Sequence, residues 1–101
     1  MSVTPQGGLT FQIVTGGSSV IVVPPGVTGG YITNPSQASD QGLSNSEPLI
    51  VDPVSAPTLA GNNTSVALQP GETFTVIANS IYPVRANAAS SGHKFTVVYW
   101  L

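Results

Sequence analysis

The chain has 101 residues, of which only 6% are charged, and its formal net charge is −2. An average soluble domain carries roughly 25% charged residues. Two basic residues in total exclude a protein that follows nucleic-acid phosphates or binds a membrane through a basic patch, so we expect neither partner. The absence of cysteine excludes disulfides, thiolate metal sites and cysteine nucleophiles. The length predicts a single domain that spans residues 1–101.

The first eight residues carry neither a basic segment nor an apolar segment, so they do not have the pattern of a secretory signal. We expect synthesis in a cytoplasm without a signal peptide. We also expect residues 1–8 to form an N-terminal extension of the domain.

Short runs of β-branched and aromatic residues between Gly, Pro, Asn and Ser indicate strands. The first half of the chain predicts four such strands, over residues 9–14, 19–23, 31–33 and 49–51. Residues 33–48 form the longest break, which is polar except for Leu43. A connection of this length in a small domain is usually a functional arm or a disordered segment, and we expect an extended loop arm here.

The second half predicts strands over residues 64–68, 73–78, 81–86 and 94–101. Pro70 and Gly71 occupy the central positions of a predicted type II turn. Pro83 predicts that the third of these strands lies at a sheet edge or contains a bulge. In the last strand, Phe95, Val97 and Tyr99 alternate on one predicted face.

Seven or eight short strands without a credible helix predict an all-β, antiparallel fold. The pattern is typical of a β-sandwich, a jelly-roll-like domain or a small barrel.

The sequence offers few groups for catalysis. His93 is the one histidine, so a Ser–His–Asp triad would have to combine it with Asp40 or Asp52. The four acidic residues lie in or beside predicted turns, where carboxylates commonly bind local backbone amides. A calcium site formed by Asp40, Glu47 and Asp52 would lack an acidic loop motif. We therefore predict no catalytic residue, no cofactor, no metal site and no enzyme activity.

A chain with so few charges has weak electrostatic protection against association. Its composition suits a subunit that stays packed against other proteins. The last residues, Tyr99, Trp100 and Leu101, are large and apolar, so we expect the final strand to be held in a sheet or a subunit contact.

The last third of the chain, LQPGETFTVIANSIYPVRANAASSGHKFTVVYWL (68–101), resembles the closing half of the head decoration, or cement, proteins of tailed bacteriophages. This resemblance implies a β-rich virion subunit, often trimeric, on the outer capsid surface. It implies binding to the major capsid protein, stabilisation of the shell against internal DNA pressure, and no catalytic residues. We therefore expect a homo-oligomer, with a trimer favoured.

Loop length and terminal position select the candidate contact residues for such a subunit. They are Tyr31, Asn34, Pro35, Leu43, Tyr82, Trp100 and Leu101. An alternative is a carbohydrate-binding β-module, such as a receptor-binding part of a tail or fibre. In that case Tyr82 or Trp100 would stack on sugars in a concave face.

Overall fold

A computed structural model describes residues 5–13, 15–35 and 47–101, which form eight β-strands and no helix. The strands are β1 Pro5–Gln12, β2 Val20–Val23, β3 Gly29–Thr33, β4 Leu49–Asp52, β5 Val66–Leu68, β6 Thr73–Thr75, β7 Val84–Asn87 and β8 Lys94–Trp100. The predicted all-β class is confirmed. β1 begins at Pro5, so half of the predicted N-terminal extension is part of a sheet, and residues 1–4 lie outside the described residues.

The strands form two four-stranded sheets, with the orders β1-β8-β3-β6 and β2-β7-β4-β5. The pairs β1–β8, β2–β7, β3–β6 and β4–β5 are all antiparallel. The first four strands thus pair with the last four in reverse order, as in one long hairpin that ends at the β4–β5 connection. Contacts between β3 and β8 and between β4 and β7 complete the two sheets.

Both sheets contribute side chains to one apolar core. Ile32, Phe95 and Val97 come from the first sheet, while Leu49 and Val51 come from the second. Phe95 and Val97 are fully buried and Tyr99 packs against the cluster, which confirms the predicted inner face of β8. Removing a side chain of the size of Phe95 from water contributes about 2–3 kcal/mol.

The turn between β5 and β6 follows the sequence prediction. The Glu72 N–H donates to the carbonyl oxygen of Gln69 over 2.9 Å. Gly71 has a φ of 93°, which a type II turn requires at its third position and which glycine adopts without strain. The type II turn is therefore confirmed.

Of the two effects predicted for Pro83, the edge position is wrong, whereas the pairing of β7 with β2 does contain a register shift, between Ile21 and Val23. β7 begins at Val84 and pairs with β2 on one side and β4 on the other, so it is an inner strand and not an edge. Because Pro83 precedes the strand, its missing N–H takes nothing from the ladder.

Gly30 pairs in register with Tyr99, and the β8 backbone lies close to it. A Cβ atom on Gly30 would meet the Val98 carbonyl oxygen and would lie 2.7 Å from the Tyr99 Cα. A Cβ on the preceding Gly29 would lie 3.6 Å from the Trp100 ring, which is an ordinary contact. The two adjacent glycines therefore differ sharply in the space around them.

We predict that Gly30→Ala lowers the free energy of unfolding by about 3 kcal/mol, because backbone atoms of β8 cannot move aside as a flexible side chain would. Gly29→Ala is the matched control and should change stability by less than about 1 kcal/mol. Urea denaturation of the two variants checks this. Equal stability of the two variants would contradict the close β3–β8 approach.

Candidate functional site

The outward face of the first sheet carries hydroxyls and aromatic rings. Because Ile32 and Val97 point into the core, their strand neighbours project outward. We call this surface the threonine–aromatic face; it consists of Tyr31, Thr33, Thr73, Thr75, Thr96 and Trp100. Thr33 pairs in register with Thr73 on one side and Thr96 on the other. The Thr33 and Thr73 hydroxyl oxygens lie 3.0 Å apart.

Two predicted contact residues, Tyr31 and Trp100, meet on this face. Their ring centroids are 6.2 Å apart and the ring planes are inclined at 59°. The Trp100 ring lies beside Gly29, at ordinary van der Waals distance from the position that a Cβ atom would occupy there. Tyr31 is exposed and Trp100 is half-buried, so the pair presents an aromatic surface that is fixed on its inner side.

A second surface lies at the turn between β6 and β7. We call it the apolar tip; it consists of Ile77, Ile81 and Tyr82, which are 55%, 79% and 46% exposed. No charged residue lies between Ile77 and Tyr82 in the sequence. These three exposed side chains lie within six residues of each other in the sequence, and groups of exposed apolar side chains mark interaction sites more often than isolated ones do.

Hydrogen bonds hold the backbone of the apolar tip in place. The Gly26 N–H donates to the Ser80 carbonyl, and the Asn79 N–H donates to the Val27 carbonyl, each over 2.8 Å. The Tyr82 N–H donates to the Ser80 hydroxyl over 3.1 Å. Asn79 has a φ of 59°, a left-handed conformation that asparagine tolerates better than most residues. The tip is therefore an ordered turn that presents three apolar side chains.

The remaining predicted contact residues are dispersed. Asn34 and Pro35 are buried, so they do not present a surface to a partner. Leu101 is 57% exposed after the end of β8, and Leu43 lies outside the described residues. Of the three residues of the apolar tip, Tyr82 is a predicted contact residue, whereas Ile77 and Ile81 fall in predicted strands.

Asn34 belongs instead to a polar cluster, the polar clasp, which consists of the buried Asn34 and His93, the half-buried Glu47 and the exposed Ser90. The His93 Nδ1 lies 2.8 Å from a Glu47 carboxylate oxygen, and its Nε2 lies 2.9 Å from the Asn34 Oδ1. The Asn34 Nδ2 donates to the carbonyls of Glu47 and Leu68, over 3.0 and 2.9 Å. Ser90 donates to the Glu47 carboxylate from its N–H and its hydroxyl, each over 3.2 Å. The clasp therefore joins the end of β3 to the start of β4.

Opposing effects act on the pKa of Glu47. Burial raises it, while hydrogen bonds from His93 and Ser90 and the attraction of His93 lower it, and the net effect is a lowered pKa. Glu47 is therefore an ionised acceptor within the clasp at neutral pH.

The clasp does not have the geometry of a hydrolytic triad. In a triad the acid binds Nδ1 of the histidine and a nucleophilic hydroxyl faces Nε2. Here the Nε2 of His93 faces the Asn34 amide, and the Ser90 hydroxyl contacts the acid. His93 is also only 3% exposed. The arrangement is that of a structural cross-link, and the absence of enzyme activity stays a prediction.

Asp52 forms the second buried polar cluster, at the end of β4. Its carboxylate accepts from the N–H groups of Val54 and Ser55, over 2.8 and 2.9 Å, and from the hydroxyls of Thr64 and Ser65, over 2.8 and 2.9 Å. Burial raises the pKa of Asp52, but these donors outweigh it and lower the pKa to about 2. The carboxylate fixes both ends of the connection between β4 and β5, as expected for an acid beside a turn.

The described residues contain no group of three or more histidine or acidic side chains placed to hold a metal ion. Of the calcium ligands considered in the sequence, Asp40 lies outside the described residues. Glu47 and Asp52 have separate sets of partners. Within the described ranges, no helix has the length and apolar character needed to cross a membrane.

We predict that Asp52→Asn destabilises the chain in a pH-dependent manner. The ionised Asp52 stabilises the fold at pH values above its ordinary pKa of 3.8, and this contribution is lost as pH falls towards about 2. The wild type should therefore exceed Asp52→Asn in unfolding free energy by about 2 kcal/mol at about pH 6, and this gap should narrow at about pH 2.5.

Urea unfolding at the two pH values measures that gap. Thr64→Val removes one hydrogen-bond donor to the Asp52 carboxylate. This variant should therefore lose stability at a higher pH than the wild type does when the solution is acidified. An equal difference in unfolding free energy between the wild type and Asp52→Asn at both pH values would contradict the stabilising role of the ionised Asp52 carboxylate.

The described residues thus present two exposed surfaces, the threonine–aromatic face and the apolar tip, and two polar clusters that hold connections in place. No family model, no curated protein and no solved structure matches this chain.

Proposed function

We propose that the chain is a virion structural protein that binds the outer capsid surface and stabilises contacts between major capsid proteins. The observation that carries the proposal is the apolar tip. Three large apolar side chains, Ile77, Ile81 and Tyr82, stand exposed on a turn that hydrogen bonds keep in place. Fixed aromatic and aliphatic anchors of this kind supply most of the binding energy in protein interfaces.

The charge distribution supports a protein partner reached through apolar contact. Glu47 and Asp52 bind groups of the chain itself, and the Glu72 carboxylate accepts the N–H of Gln69. These three carboxylates are therefore already engaged by groups of the chain rather than free for direct ion pairs with a partner. Burial of apolar and main-chain surface is the mechanism that remains for attachment.

We extend the proposal to the topology and take the domain to be a jelly roll. The reverse-order pairing of β1–β4 with β5–β8, divided between two sheets, supports this interpretation. Jelly rolls occur in viral capsid proteins and in lectins. The topology thus agrees with the proposed role but does not by itself separate it from sugar binding.

The proposed subunit acts as a homo-oligomer, with a trimer favoured, on the capsid surface of a virion assembled in a host cytoplasm. A specific interface buries about 1,000 Å² or more. The apolar tip alone is smaller than this, so repeated attachment points in an oligomer would add the required avidity.

A carbohydrate-binding β-module is the second candidate, and the threonine–aromatic face favours it. Tyr31 and Trp100 could stack on a sugar ring, and the neighbouring Thr33 and Thr73 hydroxyls could bind its hydroxyl groups. This face carries no acidic side chain, which suits a neutral oligosaccharide.

We predict that the double variant Ile77→Ser, Ile81→Ser weakens attachment to purified capsid shells by at least about tenfold, because two apolar anchors lose their contact area. The matched control is Val54→Ser, Leu59→Ser, which changes two exposed apolar residues on another connection. Both variants should unfold at wild-type urea concentrations. Co-sedimentation of each variant with the shells measures attachment.

If the Ile77→Ser, Ile81→Ser variant attached to the shells as strongly as the control variant, the apolar tip would not be the attachment surface. The same experiment separates the two candidate functions when it includes Tyr31→Ala and a panel of neutral oligosaccharides. Saturable sugar binding that Tyr31→Ala abolishes, together with no attachment of the wild type to shells, would favour the carbohydrate-binding module.

A further inference from the structure

The hydrogen-bond geometry of the polar clasp defines the protonation state of His93. Each ring nitrogen faces an oxygen atom: Nδ1 faces the Glu47 carboxylate over 2.8 Å, and Nε2 faces the Asn34 Oδ1 over 2.9 Å. A carboxylate and an amide oxygen are both acceptors. A ring between two acceptors can satisfy both only when both of its nitrogens carry protons.

The orientation of the Asn34 amide is fixed independently of His93. Its Nδ2 lies 3.0 Å from the Glu47 carbonyl oxygen and 2.9 Å from the Leu68 carbonyl oxygen. Rotating the amide by 180° would place its oxygen against these two carbonyl oxygens and would lose two hydrogen bonds in a buried site. The Asn34 Oδ1 therefore has to face the ring, and the Nε2 has to donate.

Neither neutral form of the ring fits this site. With the proton on Nδ1 alone, the Nε2 lone pair would face the Asn34 oxygen. With the proton on Nε2 alone, the Nδ1 lone pair would face the Glu47 carboxylate. A buried polar atom that loses its partner costs about as much as a hydrogen bond, and more when a charge is involved.

We propose that His93 is a doubly protonated imidazolium that bridges Asn34 and Glu47, and that the clasp weakens when the ring loses a proton. The clasp is then a pH-responsive link between the end of β3 and the start of β4. Its closed state is favoured at low pH, where the ring is charged, and is lost as pH rises. This inference concerns the isolated chain and does not rest on the proposed function.

Among the described residues, few charged groups lie on the elements around the ring. Glu47, at the start of β4, is the charged side chain among the described residues that contacts the imidazole. Lys94, the residue after His93, begins β8 and is exposed. From the β5–β6 turn, Glu72 directs its carboxylate to the Gln69 N–H. From the β1–β2 connection, the uncharged Ile13 donates its N–H to the His93 carbonyl over 2.9 Å and accepts the Gly92 N–H.

The direct test is nitrogen-15 NMR of the imidazole in the isolated wild-type chain. At mildly acidic pH, we expect both ring nitrogens of His93 to carry protons, and we expect both protons to exchange slowly because the ring is buried. A neutral ring with one protonated nitrogen in the folded chain at this pH would overturn the proposal.

Stability measurements test the consequence. The unfolding equilibrium constant of the wild type should rise between about pH 5 and about pH 8 by more than that of a variant without the ring. His93→Gln has no titrating ring and should remove most of this rise. Glu47→Gln keeps an acceptor but removes the charge, so it should weaken folding mainly at the acidic end.

The matched control is Glu72→Gln, which makes the same chemical change in a glutamate that does not contact His93. This variant should keep the pH dependence of the wild type. If Glu47→Gln and Glu72→Gln behave alike, or if His93→Gln keeps the full rise with pH, the proposal is overturned. Should His93→Gln fail to fold, the NMR measurement on the wild type still decides the question.

Discussion

Buried side chains that hydrogen-bond to backbone groups hold the connections of this chain to its two sheets. Asn34 binds two carbonyls near the start of β4 and the end of β5, and Asp52 binds two N–H groups after β4. Asn87, at the end of β7, donates to the carbonyls of Gly17 and Pro57. Because buried polar groups are costly when unpaired, these contacts fix each connection in one place.

This form of stabilisation has a consequence for the surface. Some of the few ionisable groups order the chain, as Glu47 and Asp52 illustrate, and the residues that define the two candidate surfaces are uncharged. These two surfaces are the apolar tip and the threonine–aromatic face. Association through either one would rely on apolar contact, hydroxyl groups and shape rather than on ion pairs.

The parts of the fold that depend on local sequence could be predicted. Alternation in β8 gave the buried positions of Phe95 and Val97, and Pro70 with Gly71 gave the turn between β5 and β6. These features need only neighbouring residues to specify them. The strand order could not be predicted, because it depends on pairing between distant halves of the chain.

The functional features were harder to predict for the same reason. Asn34, Glu47 and His93 are far apart in the sequence, and the pairing of the sheets brings them together. The available signal was that Asn34 and Glu47 each precede a proline, which restricts the backbone at both ends of the long connection. Ile77 and Ile81 were assigned to strands by their apolar character. β6 ends at Thr75 and β7 begins at Val84, so both residues belong to the exposed turn.

The proposed attachment of the chain to a protein partner relies on uncharged contacts. The dissociation constant for purified capsid shells, measured from about 50 to about 500 mM sodium chloride, tests this claim most directly, since salt screens ion pairs but not apolar contacts. We predict a change of less than about threefold across this range. Release of the protein from the shells with a loss of affinity of about tenfold or more would contradict the account.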